Sequence, residues 1–173
     1  ALEAADELTL RVSMFPTLLE DRGRLAALQA ACTGPLLSAR GFKQFFDGVS
    51  SQHTAWVHDP YANARFEGDC GRPTVEAAVM EALVAPAAAE GAAVRIHAIG
   101  DEAIHQCLDI FERHPVAQAT GAQATPTAAG PAETSAQAEA PARRHPLEHL
   151  ENFQPADIAR LAAAGIVASA RPR

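Results

Sequence analysis

Strand-like and helix-like segments alternate along these 173 residues, and this alternation constrains the fold more than any other feature. The predicted strands are residues 8–15, 42–46, 93–99, 144–150 and 166–170. The predicted helices are residues 18–31, 75–84, 102–113 and 154–164. Because strands joined by crossover helices are normally parallel, the pattern predicts an α/β fold with about five parallel strands. Such a set forms an open sheet or part of a (β/α)₈ TIM barrel, which needs roughly 250 residues when complete.

Glycine, proline and capping residues set the expected helix boundaries. Gly23 is a weak point in the first predicted helix, and Thr74 is a suitable N-cap for the second. Pro86 is expected to kink or divide that second helix, because proline cannot donate the backbone hydrogen bond. Asp101 is expected to cap the third helix, and Gly165 to end the fourth.

Residues 117–142 differ in kind from the rest of the chain. They consist mainly of alanine, glycine, proline, threonine and glutamine, with no bulky apolar side chain. Such a segment cannot bury enough surface to offset the entropy lost on ordering. We therefore expect a flexible, low-complexity insertion within a single domain.

A second long connection, residues 47–73, is rich in ring side chains. It contains His53, Trp56, His58, Tyr61 and Phe66. A connection of this length in a compact domain usually has a function or lacks order. It is expected to be either an ordered loop that faces substrate or a loop that only extends over the surface. His53 and His58 are candidate substrate contacts.

Composition excludes several kinds of partner. The net charge is −7, aromatic residues make up 5% of the chain and basic clusters are absent, so neither nucleic acid nor an anionic membrane is an expected partner. No apolar run approaches the ~20 residues that span a bilayer. Cys32, Cys70 and Cys107 are odd in number and widely spaced, which is typical of reduced thiols in a cytoplasmic protein.

Three strand-like segments each carry a side chain that can bind a metal ion. Lys43, His97 and His149 lie in the strands at residues 42–46, 93–99 and 144–150. In α/β folds, chemistry concentrates at the carboxyl ends of parallel strands. The alternative is that His97 is a half-buried, hydrogen-bonded histidine beside an ordinary helix cap.

The same segments resemble three signatures of the amidohydrolase superfamily. They are FKQFFDG at residues 42–48 with Thr54 and Ala55 downstream, VRIHAIGD at residues 94–101, and RHPLEHLEN at residues 144–152. The similarity is greatest to the YtcJ-like, or amidohydrolase 3, branch of metal-dependent hydrolases. It implies a distorted TIM barrel, of which this chain corresponds to strands three to seven.

The resemblance also implies a metal centre. Lys43 matches a lysine of the fourth strand that is often carbamylated, and His97 and His149 match histidines of the fifth and sixth strands. A desolvated lysine deprotonates readily, and neutral imidazoles suit zinc. One or two divalent ions, zinc in the first instance, are therefore expected as cofactors.

The implied reaction is hydrolysis of a non-peptide carbon–nitrogen bond in a small amide, formamide or carbamate, by metal-activated hydroxide. The family's His-x-His pair and its eighth-strand aspartate have no counterpart here, so the catalytic residue is unknown and the chain is expected to be the middle of a larger barrel. The alternative function is a non-catalytic fragment that self-associates as a homo-oligomer through the sheet edges at residues 8–15 and 166–170. A third hypothesis is a metal-free open-sheet protein.

Other candidates have supporting roles. Asp101 is expected either to orient His97 from outside the ligand set or to serve only as a helix cap. Arg95 is expected on the same face as His97, where it fills the barrel interior or meets substrate. Because it alternates with His149, Glu148 is predicted to face the helices.

Overall fold

The computed structural model describes residues 2–3, 5–32, 34–118 and 143–170. The insertion predicted over residues 117–142 lies outside the described residues except for its first two positions. The elements, in order, are β1 (Val12–Met14), α1 (Gly23–Ala31), β2 (Leu37–Ala39), β3 (Gly41–Phe45), a 3₁₀ turn (Ser50–Gln52), α2 (Ala77–Ala89), β4 (Ala93–Ala98), α3 (Asp101–Arg113), β5 (Pro146–His149), α4 (Pro155–Ala163) and β6 (Val167–Ala170).

All the strand pairs are parallel. β3, β4, β5 and β6 lie side by side in sequence order, and β1 pairs with β2. A bridge between Thr17 and Lys43 joins the two sheets, because Lys43 N–H donates to Pro16 and Leu18 N–H donates to Lys43. This arrangement of parallel strands and crossover helices confirms the predicted α/β class and is consistent with part of a TIM barrel.

The core lies between the sheet and the helices. In α3 the buried side chains are spaced three and four residues apart, as on one face of a helix, and they include Ile104, Leu108 and Phe111. They pack in one cluster with Phe42 and Ile96 from the sheet. Acidic residues in the first turn of α3 and a basic residue in its last turn complement the helix dipole. This packing fixes the start of α3 against the end of β4.

The structure corrects the first part of the predicted chain order. The first strand is shorter than residues 8–15, and the sequence pattern missed β2, a segment too short to show periodicity. α1 begins at Gly23, the predicted weak point, and not at Leu18. Leu18 is instead fully buried, and its N–H continues the bridge to Lys43.

The structure corrects the predicted division and the predicted N-cap of the second helix. α2 is not divided at Pro86 but continues through it to Ala89, and ends before Gly91, whose φ is +76°. Thr74 is not its N-cap, since that position is Glu76. The Thr74 hydroxyl donates to the Phe45 carbonyl at 2.6 Å and so ties the end of β3 to the chain leading into α2. Among the described residues no helix has the length and apolar character needed to cross a membrane.

Strand register decides which side chains share the inner face, the face turned away from the helices. Lys43 is paired with Arg95, Phe45 with His97, and His97 with Glu148. Paired residues on neighbouring parallel strands point to the same side. The inner face therefore carries Lys43 and Arg95 in one row across the sheet, and Phe45, His97 and Glu148 in the next row.

Candidate metal centre

Two imidazoles meet at the carboxyl end of the central strands. The rings of His97 and His149 lie 4.5 Å apart between centroids, with an angle of 63° between their planes. Their strands, β4 and β5, are neighbours in the sheet. The predicted association of these two histidines is thus present in the geometry of the chain.

The backbone at His149 makes this contact. Its φ is +77°, and that of Leu150 is +51°. The left-handed region is unfavourable for residues other than glycine, and such residues concentrate at functional sites. In a regular strand His149 would point to the same side as the buried Leu147, but the left-handed turn brings its ring to His97 instead.

Hydrogen bonding sets the tautomer of His97. Its Nε2–H donates to the Gly48 carbonyl at 2.8 Å, so the lone pair of the neutral ring is on Nδ1. The Phe45 ring lies 5.0 Å away and covers one side of the imidazole. Burial lowers the pKa of His149, and repulsion from the protonated form of His97 lowers it further, which favours a neutral ring at His149. Neutral imidazole nitrogen is the form that binds a transition metal.

Asp47 is the residue of this region that the sequence reasoning missed. Its carboxylate is fully buried and accepts backbone N–H bonds from Trp56, Ile99 and Gly100 at 2.8–3.2 Å. One carboxylate oxygen also lies 3.5 Å from His97 Nε2. Burial raises the pKa of Asp47, and the three backbone donors oppose that shift. Asp47 therefore joins the end of β4 to the long connection that passes over the imidazoles.

Gly100 allows the backbone of Trp56 to pass close to the end of β4. A Cβ atom at this position would lie 1.9 Å from the Trp56 carbonyl oxygen. The φ of Gly100 is −74°, so it is the lack of a side chain, and not a special backbone angle, that matters here. Asn152 also links the long connection to the end of β4, since its amide donates to the Ser50 hydroxyl at 3.1 Å and to the Ile99 carbonyl at 3.3 Å.

Lys43 lies one row below the imidazoles and is held by a carboxylate. Its ammonium group forms an ion pair with Glu148, whose other oxygen accepts from Arg95 at 2.9 Å. The prediction that Glu148 faces the helices was therefore wrong, because it assumed regular alternation through His149. The Arg95 guanidinium stacks over the Phe15 ring at 4.2 Å, which places Arg95 on the inner face as predicted.

Asp101 does not contact His97 in the structure. It is the first residue of α3, and the N-cap is Gly100, so the predicted cap was placed one residue too late. Its carboxylate accepts from the backbone N–H of His58 at 2.9 Å and from the Gln154 side chain. Asp101 thus fastens the long connection to the helix layer.

His53 belongs to a buried cluster within that connection. Its Nδ1 lies 2.6 Å from Asp69, and its ring stacks on Tyr61 with centroids 4.3 Å apart. The pKa of Asp69 is lowered, first by the hydrogen bond from His53. The connection is therefore an ordered structure, and His53 contributes to its folding.

The donor set fits a divalent ion only in part. His97 and His149 offer two imidazoles in contact, whereas structural and catalytic zinc sites use three or four protein ligands. Within the described residues no group of three or more His, Cys, Asp or Glu side chains is placed to hold a metal ion. Lys43 is paired with Glu148 and lies outside the imidazole pair.

The chain belongs to the amidohydrolase family, whose sequence profile it matches over residues 1–173. Its structure is also similar to those of two uncharacterised metal-dependent hydrolases. The protein from Pyrococcus horikoshii OT3 shares 22% sequence identity at a TM-score of 0.68, and the match covers 98% of this chain and 29% of that one. The protein from Pyrococcus furiosus shares 21% identity at a TM-score of 0.68, covering 98% and 30%. None of the curated proteins compared with this sequence matches it.

These similarities place the chain within a larger architecture. It spans about 30% of the length of each of the two solved hydrolases. The shared fold and the family together identify β1 to β6 as part of an amidohydrolase barrel.

Proposed function

We propose that this chain forms the central part of a metal-dependent hydrolase that cleaves a non-peptide carbon–nitrogen bond, as in a small amide, formamide or carbamate. The observation that carries the proposal is the contact between His97 and His149 at the carboxyl ends of adjacent barrel strands. In TIM-barrel enzymes this end of the strands carries the active site.

In this proposal the two imidazoles are part of the ligand set for one or two divalent ions, zinc in the first instance. Such an ion, when bound, would polarise the substrate carbonyl and acidify a water molecule. The remaining ligands, and the aspartate that acts as the catalytic acid–base, would come from other strands of the complete barrel. Lys43 would join as a carbamylated ligand only after release from Glu148, because its ammonium group is paired there.

The chain's own residues prepare the site in three ways. Gly48 and Asp47 hold the orientation of the His97 ring from the Nε2 side. Phe45 screens one flank of that ring from water. Glu148, level with His97 in the sheet, and Arg95, one level below, form a charged pair that would meet polar groups of a substrate that enters the barrel.

Calorimetric titration of the chain with zinc tests the ligand proposal. We expect the wild type to bind zinc and both His97→Ala and His149→Ala to bind it at least tenfold more weakly, since each removes a nitrogen ligand. His58→Ala is the matched control, because His58 lies on the surface and contacts Glu102 instead. Equal binding by the wild type and both site variants would contradict the proposal.

Hydrolysis itself is tested in a protein that carries this chain within a complete barrel. We expect turnover of amide, formamide or carbamate substrates, and its loss in Lys43→Ala and His97→Ala. Near-normal turnover in either variant would exclude that residue as a ligand. Turnover of carboxylic or phosphate esters alone would exclude the carbon–nitrogen class.

A second candidate function is self-association of the chain as a homo-oligomer. β6 is exposed along its whole length, and among the described residues its outer edge has no partner strand. Such an edge offers unpaired backbone groups to a second copy. Sedimentation equilibrium at micromolar concentration should show dimers of the wild type. Val167→Lys in β6 should weaken dimerisation, whereas the control Ile158→Lys on α4 should not. A monomer at all concentrations would refute this proposal.

A further inference from the structure

A basic cavity opens at the opposite end of the strands from the imidazole pair. Its volume is about 800 Å³, and its wall includes the first residues of three strands, Ala93 of β4, Pro146 of β5 and Val167 of β6. His97 and His149 lie at the far ends of β4 and β5. The cavity is therefore a different region from the candidate metal centre, of a size that holds a small organic ligand.

The charge of the cavity is opposite to that of the chain. The sequence has 21 acidic and 14 basic residues other than histidine. Four arginines line the cavity, and none of the described residues that line it is acidic. The arginines are Arg40, Arg95, Arg143 and Arg144. A concave site of one sign, with apolar walls between its charges, concentrates ions of the other sign.

The arginines retain free hydrogen-bond donors. Arg95 uses one nitrogen on Glu148, and its buried Nε has no partner within the described part of the chain. Arg143 donates one N–H to the Gly91 carbonyl at 3.1 Å and makes no ion pair with a described residue. The Arg40 side chain donates to the Ser38 hydroxyl at 3.3 Å and makes no ion pair with a described residue. Glu148 is shared between Lys43 and Arg95, and no described carboxylate pairs with Arg40 or Arg143, so the cavity keeps a net positive charge.

The Arg95 guanidinium is also held in place. Its central carbon lies 4.2 Å from the centroid of the Phe15 ring, and its NH1 donates to Glu148. A guanidinium that is fixed before binding loses less conformational entropy when it pairs with an oxyanion. Planar, bidentate donors of this type match carboxylate and phosphate groups.

We propose that this cavity binds a small polyanion, a molecule that carries two or more phosphate or carboxylate groups, between Arg95 on its inner wall and Arg143 and Arg144 at its rim. The site includes neither imidazole and needs no metal ion, although Arg95 belongs both to its wall and to the charged group beside the candidate metal centre. Phosphate and carboxylate share the required chemistry, so the two classes are separated by experiment.

Calorimetric titration of the chain with inorganic pyrophosphate, and separately with citrate, tests this proposal at low ionic strength. We expect saturable binding of at least one of them with a stoichiometry of one, weakened by added salt because the contacts are ionic. The double variant Arg143→Gln/Arg144→Gln should bind about tenfold more weakly for each arginine removed. The preferred probe identifies the class of ligand.

Arg65→Gln is the matched control, since Arg65 is an exposed arginine of the long connection and does not line the cavity. It removes the same charge and should leave the affinity unchanged. The proposal is overturned if neither polyanion binds, if the double variant binds as tightly as the wild type, or if Arg65→Gln weakens binding as much. Both arginines of the double variant are exposed, and a wild-type circular dichroism spectrum verifies that it is folded.

Discussion

Replacing Asp47 by alanine should destabilise the chain more than almost any other single polar substitution. The change removes the acceptor of three backbone N–H groups, those of Trp56, Ile99 and Gly100, in a fully buried position. An unsatisfied buried donor costs about 1–3 kcal/mol, so three give a nominal total of about 3–9 kcal/mol. Local relaxation and entry of water reduce such totals, and we expect a loss of about 3–5 kcal/mol in the free energy of unfolding.

Asp47→Asn separates the hydrogen bonds from the loss of volume. The amide oxygen can replace Oδ2, which accepts from Gly100 and Trp56 at 2.8 and 3.0 Å. The amide NH₂ would then oppose the Ile99 N–H at the position of Oδ1, which leaves that N–H only its longer 3.2 Å contact with the oxygen at Oδ2. We expect this variant to lose about 1–3 kcal/mol, the cost of one unsatisfied donor.

Urea unfolding followed by circular dichroism measures both changes. Asp59→Asn is the control, because Asp59 lies on the surface of the same connection and should change stability by less than about 0.5 kcal/mol. The reasoning is refuted if Asp47→Ala loses no more stability than the control. It is also refuted if Asp47→Asn loses more stability than Asp47→Ala.

Three further perturbations test the packing around the site. Gly100→Ala should cost about 1–3 kcal/mol in urea unfolding because its Cβ would overlap the Trp56 carbonyl oxygen, whereas Gly68→Ala, with φ +77° and open space around it, should cost only about 1 kcal/mol. Leu147→Ala should cost about 2–5 kcal/mol by leaving a cavity in the core, against less than about 1 kcal/mol for the exposed Ile158→Ala. Burial lowers the pKa of His145 in the folded chain. The stabilising contribution of His145 is therefore complete above the unfolded pKa near 6.5 and falls as the pH drops through that value. His145→Gln should lose less stability than the wild type between pH 7.5 and pH 5.5.

The His145 prediction has a clear structural cause. Its Nδ1 accepts the Val94 N–H at 3.0 Å, its Nε2–H donates to the His114 carbonyl at 2.9 Å, and its ring stacks on Phe111. Both hydrogen bonds require the neutral ring, and protonation of Nδ1 would break the first. A wild type and variant with equal pH dependence would show that His145 contributes nothing to it.

The parts of the site that could be predicted from sequence are those fixed by local pattern. His97 ends an apolar strand and precedes an amphipathic helix, so its place at the carboxyl end of β4 followed from residues 94–113 alone. His149 was predicted at the end of a strand for the same reason. Their contact with each other needed a left-handed backbone at His149, which no periodicity indicates.

That same backbone angle explains the error at Glu148. Alternation counted forward from Leu147, which is buried against the helices, would have placed Glu148 on the inner face with Lys43 and Arg95. Counting from His149 gave the opposite face, because alternation fails at a left-handed residue. A strand's face is better assigned from its buried apolar residue than from its polar end.

Asp47 shows what local pattern leaves out. An acidic residue directly after the buried Phe46 and before Gly48 is an ordinary turn signal. Its role depends on backbone N–H groups more than 50 residues away in sequence, at Ile99 and Gly100, which only the parallel register brings to it. β2 was missed for a related reason, since its three residues form a strand only through pairing with β1.

His97 and His149 are proposed to belong to the same metal-ligand set. Nuclear magnetic resonance of the imidazole groups during titration with a paramagnetic ion such as cobalt(II) tests it directly, with His58 and His105 as internal references on the surface. The resonances of His97 and His149 should change together at substoichiometric metal, before those of the two references. A response of only one of the two imidazoles, or a first response at His58 or His105, would contradict it.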